Sequence, residues 1–487
     1  MPEQFLHGVE VIEVTSGPKP IQTVSSSIIG IIGTAPDSPT LSTGTVSDNN
    51  ALTFTSKLAD SVTDSITIEL KDPKTNSATL SVAVSAKVIT VSLATDATGA
   101  ITSTAANVTA AINASIEASA LVSVANTGAS TGAGAVLASS STALSSTVAK
   151  AFPLNTPTLI SGSVVEAAKL GSKGTLPAAL TDILNQIGAA VVVVRVAEGS
   201  TDAETQTNVI GGVSIDGSYT GMSALLGAEH SLGVRPRILI APGFTSHKAV
   251  LVELATIAEK LRAVFFADGP NTSDADAFQY FSQFGYERGM AIDPYVLEGT
   301  ESIARPSSAI AAGLQALSDN NRGFWWTLSN QEINGITGTT RPIDFTFGDT
   351  NCRANLLNAS NIATIINVSG YRFWGNRSMS GDFLCVRRTA DIIEDSILRA
   401  HLWAVDRMIT KTYLDDVSTS VNAYLRTLRS EGAIIDGKCW ADTDLNTPAN
   451  IAEGKVYFNF DFTPPYPAEH VTFTSIITND YLEELTK

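Results

Sequence analysis

The sequence predicts an α/β protein of several domains: a layered α/β core, an inserted mainly-β (α+β) domain, and a C-terminal α/β domain flanked by terminal arms. Three observations predict this class. The chain has 487 residues, more than one hydrophobic core usually serves. Strand-like and helix-like segments alternate through its middle. A stretch near the N-terminus differs sharply in composition from the rest.

The N-terminus contains a short strand-like run at 9–14, closed by Gly17, Pro18 and Pro20. No two-residue hairpin turn follows that would bring a partner strand beside it. The run therefore predicts a strand whose partner lies elsewhere, and residues 1–24 are interpreted as an N-terminal arm.

A parallel sheet covered by helices is predicted from continuous apolar strands that alternate with helical patterns. The predicted strands are 26–36, 156–161, 189–196, 235–242 and 263–268. The predicted helices are 166–170, 176–187, 219–230, 246–261 and 273–284. Because the first strand precedes the compositional change and the others follow it, residues 25–37 and 151–300 are predicted to form one α/β domain.

Residues 38–150 are predicted to be an inserted domain, since Ser, Thr and Ala dominate them and Phe54 is their only aromatic residue. Alternating apolar and small polar residues predict strands, and a helical pattern follows. The strands are at 65–70, 78–84 and 87–94, and the helix is at 104–118. The Gly-, Ala- and Ser-rich stretch 126–146 is interpreted as loop, flexible linker or weak strands.

The last third, 301–468, is predicted to form a C-terminal domain with helices at 389–410 and 417–429 and a strand at 456–462. In the first helix, acidic residues near the start and basic residues near the end would suit the helix dipole. These residues are Asp391, Glu394, Asp395, Arg407 and Lys411. The chain ends in a further predicted strand at 471–478, preceded by a Pro-rich spacer, so that residues 469–487 form a C-terminal strand and arm.

Bulk properties exclude several classes of protein. A net charge of -17 argues against direct nucleic-acid binding, which depends on Lys and Arg clusters. Three widely separated cysteines suit a reducing compartment better than a disulfide framework. The N-terminus lacks a signal-peptide pattern, and the densest apolar run, at 189–197, contains Arg195 and is far shorter than the roughly 20 residues that span a bilayer. We therefore expect a cytoplasmic, soluble product without membrane insertion.

No catalytic, cofactor or metal site is predicted. Gly432, Gly437 and Lys438 have the spacing of a phosphate loop, but Cys439 replaces the required Ser or Thr, so a helix C-cap at Gly432 followed by a turn at 436–438 is favoured. The histidines and cysteines have no metal-ligand spacing, and there is no Gly-x-Ser-x-Gly elbow. A nucleotide-dependent α/β enzyme remains as the alternative function.

Four segments together resemble the tail sheath protein of contractile-tailed bacteriophages and R-type pyocins. They are FLHGVEVIEVTSGPKPIQTVSSSIIGIIGTAPD, FPLNTPTLISGSVVEAAKLGSKGTLPAALTDILNQIGAAVVVVRV, RGFWWTLSN and FDFTPPYPAEHVTFTSIITNDYLEEL. The resemblance covers about residues 1–37 and 151–487 in the right order, and it leaves out the insertion 38–150.

The resemblance implies a structural subunit that stacks as hexameric rings around a tail tube and contracts to drive the tube through the bacterial envelope. The implied partners are further copies of the chain, the tail tube protein, and the baseplate and tail terminator proteins; no cofactor is implied. The implied location is the virion tail, assembled in the host bacterial cytoplasm. The sheath of a phage-derived tailocin or injection particle is the alternative within this class.

The resemblance also implies that both arms exchange strands with neighbouring subunits by addition to a sheet edge. The implied arm strands are Gly8, Val9, Glu10, Val11, Ile12, Glu13 and Val14, and Val471, Thr472, Phe473, Thr474, Ser475, Ile476 and Ile477. The implied acceptor strand is Val456, Tyr457, Phe458, Asn459 and Phe460. Arg399 and Arg407 are expected to face the tube, and the insertion is expected to lie on the outer surface.

Overall fold

The computed structural model describes residues 20–58 and 66–486. The predicted arm strand Gly8–Val14 lies outside these residues. Within them the strands are β1 (Ile29–Thr34), β2 (Thr40–Thr43), β3 (Leu52–Ser56), β4 (Thr67–Lys71), β5 (Ser81–Ser85), β6 (Val88–Ser92), β7 (Val122–Asn126), β8 (Ser139–Ala143), β9 (Thr158–Ser161), β10 (Ala190–Val196), β11 (Gly211–Val213), β12 (Tyr219–Gly221), β13 (Ile238–Ile240), β14 (Val264–Asp268), β15 (Gly289–Ile292), β16 (Val296–Glu298), β17 (Ile303–Arg305), β18 (Ile336–Thr339), β19 (Ile362–Asn367), β20 (Tyr371–Trp374), β21 (Asp436–Ala441) and β22 (Phe458–Thr463).

Helices connect these strands. They are α1 (Ala105–Ala114), α2 (Ile116–Leu121), α3 (Thr147–Ala151), α4 (Val164–Ala167), α5 (Leu176–Gln186), α6 (Asp202–Ile210), α7 (Ala228–Leu232), α8 (Lys248–Leu261), α9 (Asp274–Phe281), α10 (Ser307–Arg322), α11 (Arg353–Ala359), α12 (Leu384–Ala400), α13 (Lys411–Glu431) and α14 (Pro448–Ala452). Short 3-10 segments lie at Ala168–Leu170, Met222–Gly227, Leu402–Ala404 and Asp480–Thr486.

The chain divides into two compact units. Among the described residues, the central unit comprises 25–58, 66–321 and 328–384, and the C-terminal unit comprises 20–24, 322–327 and 385–486. The domain boundary predicted at 300 differs from this division. Residues 301–384, apart from the 322–327 segment, fall mainly with the central unit because β19 and β20 complete its sheet.

The central unit is built on one eight-stranded sheet with the order β20-β19-β15-β14-β13-β1-β10-β9. The six inner strands run parallel, and the edge strands β9 and β20 are antiparallel to their neighbours. All six residues of β1 are buried, as a strand covered on both faces requires. The layered α/β core predicted from the sequence is confirmed.

Two hydrophobic clusters cover the two faces of this sheet. Ile29 and Ile31 contribute to one cluster together with residues of α5 and α10, and Ile32 contributes to the other together with residues of α6 and α8. This division follows from the two-residue period of a strand, which sends successive side chains to opposite faces. The sheet therefore buries nearly all of its apolar side chains.

The α-helix predicted at 219–230 is wrong for all residues before Ala228. The chain forms β12, then the 3-10 segment Met222–Gly227, and only then α7. Gly221 has φ of 57° and lies against Gly211, whose φ is 63°, so a side chain at either position would collide with the facing backbone. The positive φ of Gly221 keeps the chain out of the helical conformation at this point, although the apolar residues around it have a helical spacing. Helix α6, capped by the Thr201 hydroxyl, was not predicted.

The insertion folds as two small sheets with helices α1 and α2, so its mainly-β (α+β) class is confirmed. The sheets have the orders β2-β3-β7 and β5-β6-β4-β8. They enclose a hydrophobic cluster of their own, in which Phe54 is fully buried. The low-complexity stretch supplies β8, the weak-strand alternative among the three interpretations of that segment.

The C-terminal unit contains α12 and α13, which differ in length from the predicted helices. The helix predicted at 389–410 begins at Leu384 and ends at Ala400. His401 Nδ1 donates to the Ile397 carbonyl at 2.6 Å, which satisfies a free carbonyl of the last turn. Asp406 then has φ of 61°, and a helix cannot continue through this left-handed conformation.

The dipole interpretation of α12 is also wrong, because the acidic residues lie in the middle of the helix. Asp391 pairs with Arg387 at 2.9 Å and Asp395 with Arg399 at 2.9 Å, each one helical turn away. Both carboxylates are buried, so these i,i+4 pairs serve as side-chain partners for buried charge rather than as a complement to the dipole.

Helix α13 begins after Thr410, whose hydroxyl accepts from the Tyr413 backbone N–H. It ends at Gly432, which has φ of 82°, so the predicted helix C-cap is confirmed. The turn predicted at 436–438 is wrong: these residues begin β21, which pairs antiparallel with β22.

Candidate functional site

The feature of the C-terminal unit that bears on assembly is the two-stranded sheet of β21 and β22. Phe458, Phe460 and Phe462 point from β22 to the same side as Cys439 of β21, where they pack against the core formed by α12 and α13. Phe460 and Phe462 stack with ring centroids 6.2 Å apart. All three phenylalanines are only half-buried, so the apolar face of the sheet is incompletely covered.

The outer edge of β21 is occupied by a side chain. The Cys439 backbone N–H donates to Asn422 Oδ1 at 2.8 Å, and Asn422 Nδ2 donates to the Cys439 carbonyl at 2.8 Å. Asn422 belongs to α13, and its Nδ2 also donates to the Ser418 carbonyl at 2.8 Å. The amide group thus takes the place that the backbone of a third strand would have.

The outer edge of β22 is open. Cys439 faces Phe460 in register and turns its backbone groups toward Asn422, so the two residues form a non-hydrogen-bonded pair. Phe460 therefore also turns its N–H and C=O outward, and alternation gives Phe458 and Phe462 the same orientation. In the described part of the chain no strand or side chain bonds to these outward groups. Of the predicted acceptor residues, Phe458, Asn459 and Phe460 belong to β22, whereas Val456 and Tyr457 lie just before it. The strand continues beyond the prediction to Thr463.

Beyond the prolines that follow β22, the chain forms no strand or helix before Asp480 and is exposed from Ala468 onward as far as it is described. Pro464, Pro465 and Pro467 follow the strand directly, and the whole of 471–477 is exposed. Phe473 is 91% and Ile477 97% exposed. The predicted strand at 471–478 has no strand partner within the described residues of this chain.

The start of the described chain is anchored on the same unit. Ile21 and Val24 pack against the core of α12 and α13. The Val24 backbone N–H donates to Ser396 Oγ at 3.0 Å, and the Thr23 and Tyr424 hydroxyls lie 3.1 Å apart. The first described residues therefore belong to the unit that holds the open sheet edge.

The two arginines predicted to face the tube lie on either side of the end of α12. Arg399 pairs with Asp395, and the Arg407 guanidinium lies 4.9 Å from the centroid of the Trp403 ring. Large apolar side chains are exposed along the same stretch of chain. They are Leu398, Leu402, Val405 and Met408. Exposed apolar side chains therefore lie beside both arginines.

Arg195 fixes the two chain segments that flank the insertion. It is fully buried in β10, where its Nε donates to the Phe152 carbonyl at 2.7 Å and its Nη1 to the Ala35 carbonyl at 3.2 Å. Asp37 accepts from the Ser146 hydroxyl at 2.6 Å. The insertion therefore leaves and rejoins the central unit at one point.

Buried carboxyl groups lie in the central unit. Burial raises the pKa of Asp268 to about 6, although the Ser308 N–H and hydroxyl donate to it at 2.7 and 2.5 Å. Burial, together with the charge of Glu298, raises the pKa of Asp182 to about 7, and Asp182 Oδ2 has no hydrogen-bond partner among the described residues.

Neither of these groups belongs to a metal-binding cluster: in the described ranges no three His, Cys, Asp or Glu side chains are placed to hold a metal ion. Cys352, Cys385 and Cys439 are buried free thiols. Across residues 20–58 and 66–486 no helix is both long and apolar enough to cross a bilayer.

Sequence reasoning missed Asn422 and Arg195. An asparagine in a helix carries no signal that it faces a strand edge. The arginine within the apolar run of β10 was visible, but its role depends on carbonyls that are distant in sequence.

Comparison with known proteins identifies the family. Residues 378–478 match the phage tail sheath C-terminal domain, residues 217–379 match the phage tail sheath protein central domain, and residues 139–196 match the domain III N-terminal region of the tail sheath protein Gp18. The chain is a member of the phage tail sheath protein family.

Two relatives differ in how much of the chain they match. The prophage major tail sheath protein of Pseudomonas aeruginosa strain UCBPP-PA14 is 44% identical over 339 residues, which are 68% of this chain and 88% of the relative. The tail sheath protein of Burkholderia phage BcepMu is 31% identical over 520 residues, which are 99% of this chain and 98% of the relative. The first match therefore leaves about a third of this chain unmatched, whereas the second spans almost all of it.

The fold is shared with a solved structure of a contractile particle. The helical sheath of the anti-feeding prophage in its contracted state has a TM-score of 0.53 at 19% identity, covering 66% of this chain and 88% of that one. The relatives are structural tail sheath proteins, and this chain is likewise a structural protein of a contractile tail and not an enzyme.

Proposed function

We propose that this chain polymerises as stacked hexameric rings around a tail tube, and that the sheath contracts to drive the tube through the bacterial envelope. The observation that carries the proposal is that one unit holds both an open sheet edge at β22 and an exposed apolar segment at 471–477 that pairs with no strand among the residues the structure describes. The open edge needs a strand and the exposed segment needs a sheet edge, so the segment of one copy would pair with the edge of a neighbouring copy.

The arm strands are Gly8–Val14 and 471–477, and the acceptor is the strand predicted at 456–460, which extends from Phe458 to Thr463 in the structure. In an extended strand Val471, Phe473, Ser475 and Ile477 share one face, and Thr472, Thr474 and Ile476 share the other. The face with Val471, Phe473 and Ile477 could continue the row of half-buried phenylalanines on β22. This would cover apolar surface on both partners.

Pairing between subunits is favoured over pairing within one chain because of the prolines after β22. Pro464 and Pro465 have no N–H to donate and fix an extended backbone, so the chain cannot turn back at once onto its own strand. The apolar segment is thereby held away from the edge that it would otherwise cover.

Contraction requires an interface with two stable arrangements. Backbone pairing through the arms would keep subunits connected while side-chain contacts are exchanged. The contracted helical sheath among the structural neighbours supports this proposal at the level of the fold.

The other partners follow from the family. Arg399 and Arg407, beside the exposed apolar stretch at the end of α12, would face the tail tube. The baseplate and the tail terminator would bind the two ends of the sheath. The protein would assemble in the host bacterial cytoplasm, and the insertion, joined at one point, would lie on the outer surface. The sheath of a tailocin or injection particle shares all of these features and remains the second candidate.

Truncation tests the proposal. Deleting residues 1–20, or everything after Ala468, should leave a chain that melts like the full-length protein but forms no tubes by negative-stain electron microscopy. The full-length protein at equal concentration is the control. Regular tubes from either truncated chain would disprove strand exchange through that arm.

A further inference from the structure

We infer that strand β5 of the insertion binds a second copy of this chain, and that the two copies pair through β5 antiparallel to β5, with Ala83 facing Ala83 across a two-fold axis. The two sheets then join into one, with the order β8-β4-β6-β5-β5-β6-β4-β8. The inference does not depend on the proposed function, because it concerns the insertion of free chains and not the arms or the assembled sheath.

Strand β5 is an edge strand of its sheet, and its outer backbone groups bond to nothing among the described residues. The Leu93 N–H donates to the Lys71 carbonyl at 2.9 Å, so the odd-numbered residues of β6 bond to β4. The even-numbered residues of β6 therefore bond to β5, where their partners are Ser81, Ala83 and Ser85. The intervening residues Val82 and Val84 thus turn their N–H and C=O groups outward.

This edge lacks the features that usually protect an edge strand. β5 contains no charged residue and no proline, and all five of its residues pair with β6 in unbroken register. The opposite edge strand of the same sheet, β8, instead has a register shift in its pairing with β4. The side chains of Val82 and Val84 pack against the core of the insertion, and the other face of β5 carries only small exposed side chains. A further strand can therefore lie beside β5.

The sequence of β5 indicates that this further strand is a second β5. Ser-Val-Ala-Val-Ser reads the same in both directions. An antiparallel copy centred on Ala83 therefore places Val82 opposite Val84 of the second copy, and Ser81 opposite Ser85. Because Val82 and Val84 are the residues with outward backbone groups, each of these groups finds a hydrogen-bond partner. The valines of both copies share one face and cover each other's half-buried surface.

A two-fold contact differs from the contacts of a ring or a stack of rings. Neighbours in such an assembly are related by rotation about one common axis, so each uses two different surfaces to bind its two neighbours. The β5 pair uses the same surface on both copies. It therefore joins free chains and is separate from the contacts within a sheath.

Charge reversal at the two-fold axis tests the pairing in the full-length chain. Ala83→Lys and Ala83→Glu each place like charges directly opposite each other, which should raise the dissociation constant of the dimer at least about fivefold. An equimolar mixture of the two variants places unlike charges together and should restore the dimer. Sedimentation velocity, at concentrations below those at which tubes appear by electron microscopy, measures the dimer fraction. Ala168→Lys, the same change at an exposed alanine outside the insertion, is the matched control and should leave the dimer unchanged.

Disulfide trapping tests the register. Ala83 and its copy form a non-hydrogen-bonded pair with Cα atoms about 4.5 Å apart, within the limit of about 7 Å for a disulfide. Ser81 lies opposite Ser85, so its own copy is about 13 Å away along the strand. Oxidation should therefore give a covalent dimer of Ala83→Cys and none of Ser81→Cys. The unaltered protein is the background control, since its three cysteines are buried.

A full-length chain that sediments as a monomer up to the concentration at which tubes appear would overturn the inference. A dimer that withstands both charge variants, or a mixture of them that stays monomeric, would place the contact elsewhere. Equal cross-linking through Ala83→Cys and Ser81→Cys would exclude the register. None of these outcomes bears on strand exchange through the arms, which the truncations test separately.

Discussion

The exposed apolar face of the C-terminal segment predicts a large effect on assembly and none on folding. We consider Phe473→Ser combined with Ile477→Ser. The two side chains are 91% and 97% exposed in the single chain, so docking can bury almost their whole surface. Burying a side chain of this size contributes about 1.5–3 kcal/mol, and the pair about 3–6 kcal/mol. Each 1.4 kcal/mol changes an equilibrium constant tenfold, so the concentration needed for assembly should rise about 100-fold or more.

The assay is sedimentation of sheath polymer over a range of protein concentrations, with the melting temperature measured on the same samples. Thr472→Ser combined with Thr474→Ser alters the opposite face and serves as the matched control, for which less than a threefold change is expected. An unchanged assembly concentration for the double serine variant would refute the assignment of this face to an interface. A lowered melting temperature would show that the segment is instead part of the folded unit.

Four further predictions concern folding. The raised pKa of Asp182 favours its protonated form in the folded state. The free energy of unfolding should therefore fall by about 4 kcal/mol as the pH rises from about 4 to about 7, and Asp182→Asn should remove this loss. Equal pH slopes for the unaltered protein and the variant in denaturant titrations would contradict this prediction. Arg195→Met leaves two buried carbonyls unpaired and should lower stability by about 3–6 kcal/mol, so a loss below about 1 kcal/mol by calorimetry would be a failure. Asn422→Ala should lower the free energy of unfolding by about 2–4 kcal/mol in chemical denaturation, because it leaves backbone groups of the buried Cys439 unpaired. Asn446→Ala should lower it clearly less, because Asn446 bonds in the same way to Tyr457, which is only half-buried and open to water. Equal losses would argue against a special role for Asn422. Replacing 38–145 by a short Gly-Ser linker should leave a cooperatively folded chain by circular dichroism, and an unfolded product would show that the insertion is needed for the core.

The central sheet could be predicted because its signal is local. A strand such as β10, buried on both faces, is a continuous apolar run, and the helices between strands have their own periodicity. The insertion was visible by composition alone. The C-cap at Gly432 followed from the same local chemistry.

The misplaced elements depend on conformations that the apolar periodicity does not encode. The end of α12 depends on His401 and Asp406, whose conformations the apolar stripe does not encode. The hairpin at Gly211 and Gly221 depends on two backbones in close approach.

The assembly surface is harder to predict for the same reason. The sequence indicated that β22 is a strand, but which edge is open depends on a contact between Asn422 and Cys439 across 17 residues. The proposed arm strands are harder still, because the partners we propose for them belong to another chain.

A helical reconstruction of the assembled sheath by cryo-electron microscopy tests the central claim most directly. We expect rings of six subunits in which density for a neighbour's extended segment runs along the outward backbone groups of Phe458, Phe460 and Phe462. Tubes in which this edge is bare, with subunits joined only by side-chain contacts, would contradict it.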